Sequence, residues 1–148
     1  MKRFHFRLDP ILRLRAYREE LARFRWAQAL RSYQEKVESL REAERWIEES
    51  FRSERADLRE GRSDLRFWSQ GHAYRQSLDA LRTDRLRQRE ERARIAEREQ
   101  ALWMRSRRDL RVMEGVRERQ HRAHHKDHLR LLQEGLDEIA ILRAGGER

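Results

Sequence analysis

The chain has 148 residues, with 36 Lys or Arg against 27 Asp or Glu for a net charge of +9, and it contains no cysteine. Disulfide frameworks, thiolate metal sites and Cys nucleophiles are therefore excluded. Charged residues make up 43% of the chain, against roughly 25% in an average domain, and six Gly with one Pro leave little turn material for a globule of many elements.

Long helices or disorder remain, and disorder fits poorly because four Trp, five Phe and three Tyr are scattered among regularly spaced Leu and Ile. Arg, Glu, Leu, Ala and Gln dominate, and all are good helix formers. The expectation is an all-α chain forming a single unit over 1–148, a long antiparallel two-helix coiled-coil hairpin. Lys2 and Arg3 are not followed by an apolar core of signal-peptide length, and the longest fully apolar run is Ile139 to Leu142. A soluble, cytoplasmic protein without membrane insertion is expected.

The opening FHFRLDPILRLR, residues 4–15, alternates Phe4, Phe6 and Leu8 with polar residues as a strand would. The alternation ends at Asp9-Pro10, where Asp9 is placed to N-cap a helix and Pro10 to take its first position. A short basic and aromatic arm should lead into helix one, expected over about 9–60. From there Ile11, Leu14, Tyr17, Leu21 and Phe24 recur at coiled-coil spacing, followed by Trp26, Leu30, Tyr33, Val37, Leu40, Ile47 and Phe51. The step from Phe24 to Trp26 breaks the count, and Phe24, Ala27 and Leu30 at 3-residue steps predict a stammer.

The pattern stops at Glu60-Gly61-Arg62-Ser63-Asp64. There Gly61 suits a left-handed C-cap, and Ser63 or Asp64 suits the N-cap of a new helix. A second candidate turn, Ser69-Gln70-Gly71, is less favoured because Trp68, Tyr74, Leu78 and Leu81 run through it at helical spacing. The expected turn is therefore about 61–63, with helix two over about 64–142.

Helix two continues the seam with Leu78, Leu81, Ile95, Leu102, Met113, Val116, Leu129, Leu132, Leu136 and Ile139, interrupted by polar residues such as Arg85, Gln88, Arg92 and Glu99. Polar seam residues lower stability and fix register. Antiparallel pairing about this turn sets Ile47 near Leu78, Leu30 near Ile95 and Trp26 near Glu99. Glu-to-Arg pairs four residues apart, among them Glu48/Arg52 and Glu118/Arg122, each contribute roughly 0.2–0.5 kcal/mol.

His121, His124, His125 and His128 form two i, i+4 pairs with metal-ligand spacing. Arg122 stands where a catalytic zinc motif would want Glu, and a second segment of ligands is missing, so no metal and no cofactor are expected. The carboxylates lie among arginines on helix surfaces with no dry pocket to separate their pKa values, and there is no phosphate loop or nucleophile elbow. The chain is not expected to be an enzyme.

The positive charge is regional: net +5 over residues 1–25 and net +6 over 62–111. Arg and Glu alternate through these stretches, whereas a phosphate-tracking arm would carry basic blocks. A nucleic-acid-binding basic coiled coil is thus the alternative rather than the first reading. Membrane-surface binding through residues 1–25 is a lesser possibility on the same grounds.

The stretch FHFRLDPILRLRAYREELARFRWAQAL resembles the start of the FliJ family of bacterial flagellar type III export proteins. Phe4, Phe6, Arg7, Leu8, Ile11, Leu12, Leu14, Arg15, Glu19, Glu20 and Ala22 carry the likeness, and WSQGHAYRQSLDAL resembles the opening of that family's second helix. The resemblance implies a hairpin similar to the central stalk subunit of rotary ATP synthases. It implies a non-enzymatic stalk and adaptor that promotes assembly of the hexameric export ATPase ring and couples it to the export gate and to export chaperones. The protein would be a monomer, peripheral to the inner membrane at the flagellar base. An injectisome homologue with the same mechanism fits equally.

Carried over by position, Tyr74, Leu78, Leu81 and Arg85 would face the cytoplasmic domain of the gate. Arg3, Phe4, Phe6, Arg7, Arg13 and Arg15 would face the ATPase ring. Tyr74, Leu78 and Leu81 also stand at i, i+4 and i+7, a spacing that serves a partner's groove or an internal seam equally.

Overall fold

The computed structural model describes residues 3–62 and 64–145. Two α-helices, α1 (Asp9–Arg59) and α2 (Leu65–Gly145), account for nearly all of it and pack against each other as a helical hairpin. No β-strand occurs among the described residues.

The helices are joined where the glycine signal lies. Gly61 has φ +77°, its amide donates to the Leu58 carbonyl at 3.2 Å, and the Arg62 amide reaches back to the Asp57 carbonyl at 3.1 Å. This bond pair is a Schellman motif, which satisfies carbonyls that the last turn of α1 would otherwise leave free. Arg62 reinforces it through ion pairs to Asp57 (3.5 Å) and Glu60 (2.9 Å). The Asp64 carbonyl accepts from the Trp68 amide at 3.1 Å, so Asp64 holds the N-cap position of α2. Ser63 lies outside the described residues. Gly71 lies within α2.

At the other helix start, the Leu8 carbonyl accepts from the Leu12 amide at 3.0 Å. The N-cap is therefore Leu8, one residue earlier than the sequence suggests, and Asp9 instead pairs with Arg13 at 2.8 Å. Pro10 still falls among the first amides, where its missing N–H costs no helical bond.

Contacts group the chain into two compact units. The first, Leu21–Trp103, contains most of α1, the turn and the first half of α2. Its α1 seam runs through Ala22, Trp26, Ala29, Tyr33, Lys36, Leu40, Ala43, Ile47, Ser50 and Glu54 in unbroken 4-3 alternation, all buried or half-buried. Leu40, Ala43, Leu78 and Ala96 are its most buried residues, and Ala43 at 0% exposure lets the backbones approach closely. Trp26 stacks on Trp103 with ring centroids 4.8 Å apart and planes 9° from parallel, an arrangement worth about 0.5–1.5 kcal/mol beyond area burial. Trp103, not the expected Leu102, is the seam residue, and Leu102 is 49% exposed. Trp26 was expected beside Glu99, one turn earlier. Helical side chains lean toward their own N-terminus, so in an antiparallel pair two large rings lean together across that turn.

The second unit joins residues up to Glu20 with α2 from Met104. Here Phe6, Leu12 and Met113 form a small core at 5%, 8% and 7% exposure, flanked by Phe4, Leu8, Leu110 and Val116. The alternation read in the sequence is real: Phe4, Phe6 and Leu8 turn inward while Arg3, His5 and Arg7 are exposed. The seam expected from Ile11, Leu14 and Tyr17 is not formed. Those residues are 44%, 48% and 63% exposed, as are Leu21 (37%) and Phe24 (60%) further along α1. Leu8, Leu12, Arg15 and Glu19 take the seam positions, and they lead into Ala22 and Trp26 at 3- and 4-residue steps, so the stammer is not needed. α2 is helical to Gly145, and its expected seam residues Leu129, Leu132, Leu136 and Ile139 are exposed.

The two glycines give opposite expectations. Gly61→Ala places a side chain at positive φ and should lower stability by about 1–2 kcal/mol. Gly71→Ala meets nothing within 4 Å and should raise it by up to about 1 kcal/mol. Urea unfolding followed by circular dichroism measures both, and equal shifts of one sign would contradict the assignment of the turn to Gly61.

Candidate functional site

Near the turn, the first unit opens a shallow cleft between Ser50, Ser53, Glu54 and Asp57 of α1 and Phe67, Trp68, Gly71, Tyr74 and Arg75 of α2. Small residues create it: Ser50 and Ser53 on one wall and Gly71 on the other withhold the side chains that would close the gap. Glu54 and Arg75 form an ion pair in the cleft, each with a side chain only 19% exposed. The Arg75 guanidinium also lies 5.6 Å over the Phe51 ring. Removing one member of such a pair strands the other, so the pair fixes how the helices meet more than it stabilises them.

The four residues expected to face a partner here divide sharply. Tyr74 is 54% exposed at the cleft mouth. Leu78 is 6% exposed and belongs to the seam, and Leu81 is half-buried. Arg85 spans the hairpin: it donates to the Ser39 carbonyl at 2.5 Å, pairs with Glu42 at 3.7 Å and lies 5.0 Å over Trp46. Its side chain is 19% exposed. The sequence reading missed Phe51, Trp68 and Trp46, which are 47%, 40% and 42% exposed around Tyr74 and Arg85. Phe51 is expected in the seam from its spacing, but Ser50 takes that position and leaves the Phe51 ring outside.

No family model, curated protein or solved structure matches this chain. The site must therefore be read from its own geometry.

In the second unit, the residues expected to face an ATPase ring are also divided. Phe6 is buried in the core, and Phe4 packs edge-on against His121 (centroids 5.0 Å, 87°) and tilted against His124 (5.6 Å, 59°). Arg13 pairs with Asp9, and Arg15 donates to the Asp109 carbonyl of α2 at 2.9 Å. Arg3 and Arg7 are exposed. His121 and His124 thus receive Phe4 of the arm, and among the described residues no group of three or more His, Cys, Asp or Glu is placed to hold a metal ion.

What these surfaces offer chemically is contact: exposed aromatics over a paired charge near the turn, and exposed arginines beside a docked arm. Two substitutions separate seam from surface. Leu78→Ala should cost about 2–3 kcal/mol of stability through the cavity it leaves, whereas Tyr74→Ala should stay within about 0.5 kcal/mol of the parent. Phe6→Ala should cost about 3 kcal/mol and speed exchange of the Asp9 and Leu12 amides, which donate to Phe6 and Leu8, because the arm loses its anchor. Unchanged exchange there would show that the arm is not held by Phe6.

Proposed function

We propose that the protein is a non-enzymatic stalk and adaptor of a bacterial type III protein export apparatus. In this reading it promotes ring assembly of the hexameric export ATPase and couples it to the cytoplasmic domain of the export gate and to export chaperones. The flagellar system is the first choice, from the likeness of residues 4–30, and an injectisome is the same mechanism in another setting. The protein would act as a monomer in the cytoplasm, peripheral to the inner membrane at the flagellar base.

One observation carries the reading beyond that likeness. Tyr74 stands exposed with Trp68 and Phe51 beside a cleft close to the turn. Clustered exposed aromatics mark protein contact surfaces, because they bring large apolar area with few rotatable bonds. Arg3 and Arg7 are left for an acidic ring surface, while Arg13 and Arg15 support the fold.

The test is direct. The purified chain should bind the export ATPase of its own organism in a pull-down and raise its ATP hydrolysis. Tyr74→Ala should weaken binding of the gate's cytoplasmic domain by about tenfold, the size of a modest hot spot, while leaving ATPase stimulation intact. Absence of any binding to the ATPase would remove the reading.

A further inference from the structure

In the unit Leu21–Trp103 the seam alternation sets residues of α1 and α2 opposite each other, and the Arg85–Ser39 bond and the Arg82–Glu44 pair at 3.4 Å fix the register. In that register Ile47 stands opposite Leu78 and Leu40 opposite Arg85. One layer further from the turn, Lys36 of α1 stands opposite Arg89 of α2. Both are half-buried, so this layer of the seam holds two cations.

Neither has a counter-charge. Among the described residues Lys36 and Arg89 make no ion pair, and the Arg89 Nε is enclosed without an acceptor. The acids around them are engaged elsewhere: Glu42 with Arg85, Asp84 with Arg87 and Gln88, and Glu38 with Arg41 and Arg45. Glu35 and Glu90, adjacent to the two cations in sequence, are exposed. Arg92, one layer beyond Arg89, adds further positive charge. The contrast lies nearer the turn, where Arg75 is equally enclosed but has Glu54 across the gap.

Like charges at the edge of a seam repel more strongly than in open water, and an enclosed donor without an acceptor loses its hydration for nothing. An anion between the two heads removes both costs. Two positive groups and an unmet donor ask for a dianion with several acceptor oxygens, and Ser32 and Ser39, about one turn to either side of Lys36, are half-buried and carry hydroxyls that can donate to it. Packed helices on both sides admit a small free ion here more readily than the backbone of a partner chain.

We propose that the Lys36–Arg89 layer binds a tetrahedral oxyanion, hydrogen phosphate or sulfate, at the rim of the seam. The ion lies between the ammonium and the guanidinium, and the planar fork of Arg89 turns to present Nε and Nη together to two of its oxygens. It ties the two helices together at a layer where they otherwise repel, so its binding stabilises the hairpin. The site does not rest on the export reading, because it requires only the chain and the ion.

The experiment is thermal unfolding of the full chain, followed by circular dichroism at constant ionic strength while phosphate replaces chloride. The midpoint should rise by about 3 °C and level off by about 20 mM phosphate, and sulfate should do the same. Exclusion of these ions from protein surface does not saturate and acts on every variant alike. Lys36→Met and Arg89→Met each keep an apolar stem and remove one charge, so both should fold, unfold at a higher midpoint than the parent in chloride, and lose most of the phosphate shift. Arg23→Gln, which removes an exposed charge elsewhere on α1, should keep the shift in full. A shift in Lys36→Met and Arg89→Met as large as in the parent would overturn the proposal. So would the lack of a saturating shift in the parent, which would leave both heads reaching out to solvent along their stems.

Discussion

A helix packed against one neighbour can turn toward it only the residues that recur at alternating steps of 3 and 4, and everything else it carries stays in water. This protein lives under that constraint. Among the described residues no large side chain is fully buried, and the most enclosed residue is Ala43. A seam this thin leaves most of the helix surface for solvent. A composition that is 43% charged is what such a surface requires.

The same thinness explains why polar groups take seam positions. Arg75 and Arg85 would be costly in a dry core, yet here each reaches a carboxylate or carbonyl across the gap while its guanidinium lies over the Phe51 or Trp46 ring. These contacts are specific to one alignment. A sliding pair of helices would lose the Glu54–Arg75 pair, the Arg85–Ser39 bond and the Trp26–Trp103 stack together, whereas leucines alone would tolerate a shift of a heptad. The polar seam selects the register, and the small residues at Ser50, Ser53 and Gly71 then set where a cleft opens.

Features fixed by local chemistry were legible in the sequence. Gly61 announced the turn because only a residue without a side chain easily takes its φ of +77°, and Phe4, Phe6 and Leu8 announced an extended arm by their alternation. Features fixed by the partner surface were not. Leu102 and Trp103 are adjacent large apolar residues, and the choice between them is made by Trp26 on the facing helix. Of the residues expected at a partner surface, Leu78 and Phe6 are buried because apolar groups at regular spacing satisfy an internal seam and an external groove by the same pattern. Exposure separates the two, and a single sequence does not contain it.

The start of α1 shows the ambiguity most clearly. Ile11, Leu14, Tyr17, Leu21 and Phe24 make the better-looking stripe, richer in large apolar side chains than Leu8, Leu12, Arg15, Glu19 and Ala22. The weaker stripe nonetheless faces α2, because there it meets Leu110, Met113 and Val116, and the arm adds Phe6 from the side. Arg15 also gains a backbone acceptor at Asp109 that no outward-facing position provides. The choice removes the stronger stripe from the fold's own use. Ile11, Leu14 and Tyr17 stay exposed and contribute nothing to the seam.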